Sequence, residues 1–266
     1  MKNKKQRHRA VPRRETGTEV PADESVRQEW LRRIEAEYRS GAHAQHLTLW
    51  LMQLGAPPDL IELGLDVVRD ELKHADLSAG VYGAAGGTEL PDLPRESLGL
   101  ARTPGVALEQ DVLRVGVEMF CLGETVAVRL FQRLRDASKV GVARDALDQI
   151  LRDEVSHREF GWTLLAWLLR TPLGPSFLQL LAAELPGMLQ RIRDNYGGLL
   201  LARVGPEGLA RRAAQFSADA RAWGVMPVSE YIAAVDEAFA RDYAPRFAEL
   251  GVAFPSIDRR PAVPSE

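Results

Sequence analysis

Two five-residue stretches decide the fold: DELKH at Asp70–His74 and DEVSH at Asp153–His157, both of the form D-E-x-x-H. In a helix, a glutamate and a histidine three residues apart lie about 60° from each other around the axis and one turn apart, so both reach the same point. Apolar residues recur at three-to-four-residue steps around both stretches, which predicts helices. Each of two helices therefore offers one carboxylate and one imidazole to a common site.

A further glutamate precedes each motif on the neighbouring predicted helix. Glu37 lies 34 residues before Glu71, and Glu124 lies 30 residues before Glu154. The two halves of this region are therefore approximate repeats, each with one upstream glutamate and one D-E-x-x-H motif.

The upstream positions have competitors in the sequence. Glu35 competes with Glu37, which is favoured because it follows Ile34 by three residues on the apolar stripe of its helix. Glu118 competes with Glu124, which is favoured because it lies among apolar residues and its spacing better matches that of the first half.

The helical pattern predicts four long helices in two pairs. They run from about Asp23 to Leu54, from about Leu60 to Tyr82, from about Val106 to Ala137 and from about Val142 to Leu169. The connection from Gly83 to Pro104 is rich in glycine and proline, which predicts a loop that is too long for a tight turn. Two hairpins joined by one long crossover are typical of one class of four-helix bundle.

Three further helical segments follow the second hairpin, with no strand pattern anywhere in the chain. They span roughly Ser176 to Asn195, Pro206 to Trp223 and Val228 to Ala248, and Pro186 is expected to kink or divide the first. The expected organisation is a basic tail (1–22), the bundle (23–172), a C-terminal helical extension packed on the bundle (173–250) and a proline-containing tail (251–266).

The chemistry of the six side chains favours a pair of metal ions. Four carboxylates and two imidazoles suit iron or manganese, and four negative charges balance two divalent cations inside the bundle. The single cysteine, Cys121, excludes a disulfide framework and a cysteine-based zinc or iron–sulfur site. The predicted ligands, which are also the predicted catalytic residues, are Glu37, Glu71, His74, Glu124, Glu154 and His157.

This pattern resembles the ferritin-like di-iron carboxylate proteins, in which two helices each give a Glu or Asp and two others each give an E-x-x-H motif to a bundle core. The resemblance covers about Trp30 to Leu169. It implies an all-α ferritin-like four-helix bundle with one long crossover from helix 2 to helix 3, plus additional C-terminal helices. It also implies that Asp70 orients His157 and that Asp153 orients His74.

The resemblance implies a cofactor of two iron ions, or of manganese with iron, that activates dioxygen. The expected activity is oxidation or hydroxylation of a small-molecule or peptide-borne substrate, with electrons from an external donor. A ferroxidase, an iron-storage protein and a rubrerythrin-like peroxide-handling protein are alternatives. An RNA-modifying hydroxylase and a metal-free helical interaction protein remain further readings.

Charge and hydropathy indicate where the protein is located and which partners it has. No apolar run reaches the roughly 18 to 20 residues of a membrane span, and the N-terminus lacks the apolar core of a secretory signal, so a cytoplasmic location without a membrane partner is expected. The first 14 residues carry seven basic residues and no acid. We interpret this arm as a solvated tail and do not expect nucleic acid as a partner, whereas a homodimer is a candidate assembly. His43 and His46 form an H-x-x-H pair on the first predicted helix. We interpret them as ordinary polar residues and not as a second metal site.

Overall fold

Four long rods make up the first part of the computed structural model, which describes residues 22–255 of the chain. Their bounds are α1 (Glu24–Gln53), α2 (Pro58–Ala84), α3 (Leu108–Val115) continuing through a π-helical segment (Gly116–Gly123) into α4 (Glu124–Ala137), and α5 (Gly141–Arg170). Between residues 22 and 255 all regular structure is helical. The predicted all-α class is therefore confirmed.

The rods pack as two hairpins: α1 lies along α2, and α4 lies along α5, which also contacts α2. A short 3₁₀ turn, Arg95–Leu98, interrupts the long connection between the hairpins. Two histidines of α1 hold this connection: His43 Nε2 lies 2.9 Å from the Ser97 carbonyl oxygen, and His46 Nδ1 accepts a hydrogen bond of 2.9 Å from the Leu100 amide. The H-x-x-H pair therefore anchors the crossover.

The π-helical segment is a local departure from the regular helix that the sequence pattern predicted. A π turn widens the helix and leaves carbonyls that need other donors. Tyr243 donates its phenolic proton to the Leu122 carbonyl at 2.8 Å, and Thr125 donates to the Cys121 carbonyl at 2.6 Å. Gly161 of α5 lies so close that a Cβ there would be 2.3 Å from the carbonyl carbon of Phe120.

The remaining helices are α6 (Gly174–Arg193), α7 (Leu199–Ala214), α8 (Ala218–Ala222), α9 (Val228–Ala238) and α10 (Ala244–Glu249). Pro186 was predicted to kink or divide its helix; α6 continues through it, so the division is wrong. The break comes instead at Gly197, whose φ of 110° favours glycine. The helix α7 is interrupted at Gly205, whose φ is 68°, so a helical stretch does begin at the predicted Pro206. It ends at Ala214 and α8 is separate from it, so the prediction of one continuous segment from Pro206 to Trp223 is wrong.

Buried and partly buried contacts join these C-terminal helices to the bundle. The Trp30 indole N–H donates to the Trp223 carbonyl at 2.9 Å, and the guanidinium of Arg129 forms two hydrogen bonds, of 2.8 and 2.9 Å, with Asp242. The aromatic rings of Trp162 and Phe247 pack edge to face with centroids 4.9 Å apart. The predicted basic and proline-containing tails lie largely outside the described residues. Among the helices of residues 22–255, none combines the length and apolarity needed to cross a membrane.

Candidate metal centre

Two glutamates and two histidines meet between α2 and α5. Glu71 and His74 come from α2, Glu154 and His157 come from α5, and each is at most 2% exposed. One ligand atom from each residue lies within 4.8 Å of those from the other three, so this group could hold a metal ion. The E-x-x-H spacing brings each pair to one face of its helix, and the packing of α2 on α5 turns the two faces toward each other.

The carboxylates of Glu71 and Glu154 each lie close to both imidazoles. His74 Nδ1 lies 3.7 Å from Glu71 Oε2 and 3.6 Å from Glu154 Oε1. His157 Nδ1 lies 3.6 Å from Glu71 Oε1 and 3.7 Å from Glu154 Oε2. The two oxygens of each carboxylate therefore face different histidines.

Five buried atoms of this group make no hydrogen bond: His157 Nε2 and, facing the other ligands, Nδ1 of both histidines and Oε2 of both glutamates. Buried polar atoms normally find partners, so four unpaired atoms directed to one point call for an explanation. Two ligand atoms that bind one ion at about 2.1 Å are roughly 3.5 Å apart at ordinary bond angles. The nitrogen-to-oxygen separations fit ligands that share an ion.

The two upstream glutamates lie next to the group. Glu37 Oε2 is 3.8 Å from His74 Nδ1, and Glu37 interacts with Glu71. Glu124 interacts with Glu154, and its carboxyl is also within electrostatic reach of His157. The structure thus brings together all six side chains that the sequence singled out, each no more than 9% exposed.

The competing glutamates are engaged elsewhere. Glu35 Oε1 accepts a hydrogen bond of 2.9 Å from the Asp92 amide in the crossover. Glu118 forms two hydrogen bonds of 2.7 Å with the guanidinium of Arg191 on α6. Neither carboxylate approaches the histidines, so the geometry favours Glu37 and Glu124.

An aspartate of the opposite motif lies behind each histidine. Asp153 Oδ2 is 3.2 Å from His74 Nε2, within hydrogen-bond distance. Asp70 Oδ2 is 3.7 Å from His157 Nε2, which has no hydrogen-bond partner. Both aspartates thus contact the histidine that the resemblance assigns to them, but only Asp153 forms a hydrogen bond.

The carboxyl groups have perturbed acidities because four of them share a buried volume. Burial and the neighbouring glutamates raise the pKa of Glu37 and of Glu124 well above the usual range. Burial and the charge of Glu71 raise the pKa of Glu154 to about 8. For Glu71 burial acts in the same direction, but the proximity of His74 and His157 outweighs it and lowers the pKa. Without cations the group therefore retains protons near neutral pH.

A cavity of about 670 Å³ opens onto this group. Its lining includes the four glutamates of the site, apolar side chains of α4 such as Leu130 and Phe131, and residues of the C-terminal helices. Cavities of roughly 300 to 1,000 Å³ hold small organic ligands. The arrangement thus pairs a group that could bind metal with a mostly apolar chamber.

Several residues near the group were not predicted from the sequence. Ser40 donates a hydrogen bond of 2.7 Å to Glu71 Oε1, and Tyr196 lies near enough for the charges of Glu124 and Glu154 to add to burial in raising its pKa. Ser40 follows Glu37 by one turn, so helical spacing could have identified it. Tyr196 belongs to the C-terminal extension, where no local pattern points to the site.

Comparisons with known proteins give no further identification: no protein-family model, no curated protein and no solved structure matches the chain.

Proposed function

We propose that the chain is a ferritin-like di-metal carboxylate oxidoreductase that uses two iron ions, or manganese with iron, to activate dioxygen and to oxidise or hydroxylate a small organic substrate. The observation that carries the proposal is that Glu71 and Glu154 each place one oxygen beside each of two histidines, at the floor of a cavity. Reduced iron in such a site supplies electrons and an open coordination position for dioxygen.

The six predicted side chains would share two ions with the same ligand types. Glu37, Glu71 and His74 from α1 and α2, together with Glu124, Glu154 and His157 from α4 and α5, would hold these ions. The donor set is rich in carboxylate oxygens, which suits iron and manganese better than a structural zinc. Four carboxylates also balance the charge of two divalent ions, which removes the cost of burying the carboxylates together.

The protein's other contributions are orientation and exclusion of water. Asp153 fixes the ring of His74 through Nε2, so that Nδ1 points to the carboxylates. Apolar side chains of α4 wall the cavity, so a substrate held there would displace water from the site. Glu37 and Glu124, whose pKa values are raised, would hold protons in the metal-free protein and release them when cations bind.

A hydroxylation at this site balances in atoms and electrons. One oxygen atom of dioxygen enters a substrate C–H bond, and the other leaves as water with two protons and two electrons from an external reductant. The cavity favours this reaction over iron storage, because a chamber with apolar walls fits an organic molecule better than a growing mineral.

Metal stoichiometry combined with oxygen uptake tests the proposal. Anaerobic titration of chelator-treated protein with ferrous iron should saturate at two ions per chain, and mixing with air should consume oxygen without mineral growth. The double substitution Glu71→Ala and Glu154→Ala should abolish two-ion binding with helix content retained by circular dichroism. Glu35→Ala and Glu118→Ala are matched controls that should keep it.

Three outcomes would count against the proposal. Saturation at one ion, or none, would exclude a di-metal centre. Continued iron uptake with mineral growth would indicate storage. Loss of two-ion binding in the Glu35→Ala variant would place the site elsewhere.

A further inference from the structure

Three hydroxyl groups belong to the residues that line the cavity, and one of them has no partner. Ser40 donates to Glu71 at 2.7 Å, and Tyr231 donates to Glu29 at 3.2 Å. The hydroxyl group of Tyr196 forms no hydrogen bond with any residue in the part of the chain that the structure describes. It keeps accessible surface, because it is not among the unpaired atoms that are sealed in the interior.

Tyr196 lies close to the candidate metal centre. It lines the same cavity as Glu124 and Glu154, and the charges of both carboxylates add to burial in raising its pKa. The phenol is therefore protonated at neutral pH and is a hydrogen-bond donor. Its neighbour Asn195 also lines the cavity, but that side chain is exposed. Tyr196 is thus the donor of this segment that a ligand held between the helices would meet.

An irregular backbone holds Tyr196 at this position. The residue lies in the π-helical segment Asp194–Gly198, where its own φ and ψ are −99° and 24° and Gly197 has a φ of 110°. A Cβ on Gly197 would lie 2.4 Å from Cγ1 of Val228, so α9 packs directly against the kink. Backbone irregularities of this kind are frequent at functional sites, where they aim a side chain.

The chemistry of the cavity wall favours an uncharged ligand. Among the described lining residues, four charged side chains lie outside the metal centre, and each has a partner of opposite charge: Arg33 with Glu29 at 3.6 Å, Arg114 with Glu184 at 2.7 Å and Glu118 with Arg191 at 2.7 Å. An ionic ligand would therefore find no unpaired charge to compensate its loss of water. The side chains of Leu130, Phe131 and Leu134 suit a hydrocarbon or aromatic body.

We propose that the Tyr196 hydroxyl group donates a hydrogen bond to the carbonyl or ether oxygen of an uncharged organic substrate whose apolar body lies along α4. This assignment deepens the proposed function and rests on it for the reaction. An oxygen without a hydrogen of its own brings no further donor that the apolar wall would leave unpaired. Because Tyr196 lies near Glu124 and Glu154, the C–H bonds closest to that oxygen are the ones presented to the centre.

Binding of 4-phenyl-2-butanone and three analogues of the same size tests the assignment. The analogues are n-butylbenzene, 3-phenylpropionate and 3-phenylpropylammonium, measured by sealed equilibrium dialysis on the full chain, as purified and after chelator treatment. Both charged analogues should bind at least tenfold more weakly than the ketone. Tyr196→Phe should weaken ketone binding about fivefold, the usual loss for one neutral hydrogen bond, and should leave butylbenzene within twofold. Tyr38→Phe, at an exposed position outside the cavity, should change neither.

The wild-type protein keeps the test decisive if Tyr196→Phe does not fold. The infrared carbonyl stretch of the bound ketone should lie below its value in hexane, and the ketone methyl protons should show magnetic resonance contacts to the ring of Tyr196. Any of four results would overturn the assignment: no ketone binding, equal loss of ketone and butylbenzene in Tyr196→Phe, tighter binding of a charged analogue, or a loss in Asn195→Ala alone.

Failure of this assignment and failure of the proposed function give different results. Ketone binding to chelator-treated protein requires no metal, so a site that depends on Tyr196 without two-ion binding would reject the proposed function alone. Two-ion binding with oxygen uptake, but without any effect of Tyr196→Phe on ketone binding, would reject this assignment alone.

Discussion

The two halves of the candidate metal centre have the same residue types but different support. The half made by Glu37 and His74 has a hydrogen bond from His74 to Asp153 and another from Ser40 to Glu71. In the other half, His157 Nε2 has no hydrogen-bond partner. The two sequence motifs are similar, but the ligands of the first half have more hydrogen bonds to hold them in place than those of the second half.

Differences at equivalent positions explain this asymmetry. Asp153 accepts hydrogen bonds from Lys73 at 3.0 Å and from Gln149, four residues earlier, at 2.8 Å. The position equivalent to Lys73 in the second motif is Ser156, and the residue four before Asp70 is Asp66, an acid that cannot donate when ionised. Asp153 is thus fixed from two sides, whereas Asp70 lacks both donors.

The helices that carry the upstream glutamates differ as well. Glu37 lies within the regular helix α1, whereas Glu124 follows directly after the π-helical segment. π turns are frequent at functional sites because they re-aim side chains. The second half also adjoins Tyr196 and the C-terminal helices. We therefore expect exchange of ligands to occur at the Glu124–His157 half.

The largest expected effect is on the pH dependence of the free energy of unfolding, to which Glu154 and Glu71 contribute with opposite signs. In the metal-free protein, the raised pKa of Glu154, about 8, means that the folded chain keeps a proton that the unfolded chain releases near 4.5. Stability should therefore fall as pH rises between these values, by at most about 5 kcal/mol from this group. Denaturant unfolding of chelator-treated protein measures the fall.

The Glu154→Gln variant should make this pH dependence less steep, because glutamine does not titrate, and the part that remains comes from Glu37 and Glu124, whose pKa values are also raised. The lowered pKa of Glu71 has the opposite sign: its contribution to stability is lost as pH falls through the folded-state pKa. Glu71→Gln should therefore remove the loss at low pH, and it should reduce the decline at high pH only in part, because burial still raises the pKa of Glu154 after the charge of Glu71 is gone. Equal flattening by both variants would contradict the asymmetry between the two carboxylates.

The next effect is expected at Gly161, which allows α5 to approach the π-helical segment. A Cβ at this position would lie within 2.7 Å of three backbone atoms of that segment, so Gly161→Ala should destabilise the protein by about 3 kcal/mol. The displaced segment should also weaken binding of the second metal ion more than the first. Gly80→Ala is the matched control: no atom lies near its Cβ, and it should stabilise helix α2 by up to about 1 kcal/mol.

The helices and the ligand group could be predicted from sequence because both depend on local spacing. The apolar steps define the four rods, and the D-E-x-x-H motifs place Glu71 and Glu154 beside their histidines. Helical periodicity also separated Glu37 from Glu35, two residues away on another face. These predictions needed only the geometry of a helix.

The cavity and the π-helical segment could not be predicted in this way. The register of Gly161 against Phe120, and the hydrogen bond from Tyr243 to Leu122, join residues distant in sequence. Whether Pro186 divides a helix depends on the packing around it, so the intrinsic preference against proline gave a wrong prediction.

A smaller effect is expected from the two aspartates, which test the asymmetry directly. Asp153→Asn should weaken ion binding by about 10- to 100-fold, the usual range for a partner of a metal-binding histidine, because the hydrogen bond to His74 changes. Asp70→Asn should weaken it less than tenfold. Competition titrations with a metal-sensitive dye give both values. Equal losses in the two variants would show that the metal-bound protein holds both histidines alike.

The hydrogen bond from Tyr243 to Leu122 should contribute about 1 to 2 kcal/mol to stability, because its loss leaves a buried carbonyl without a donor. Tyr243→Phe removes only the hydroxyl group and keeps the ring among its neighbours. Thermal unfolding should show a lower midpoint, whereas Tyr38→Phe, at a position 39% exposed, should leave the midpoint within error. An unchanged midpoint for Tyr243→Phe would mean that water satisfies the Leu122 carbonyl equally well.

The smallest effect is expected from a change that makes the two halves more alike. Ser40 donates to Glu71 from one turn after Glu37, whereas the equivalent position after Glu124 is Ala127. Ser40→Ala should weaken ion binding a fewfold, since one neutral donor to a carboxylate is lost. Ala127→Ser in the same background would place a hydroxyl group one turn after Glu124, within the cavity wall. Recovery of affinity in that double variant would show that a donor in either half serves the shared carboxylates, and no recovery would show that the first half alone depends on it.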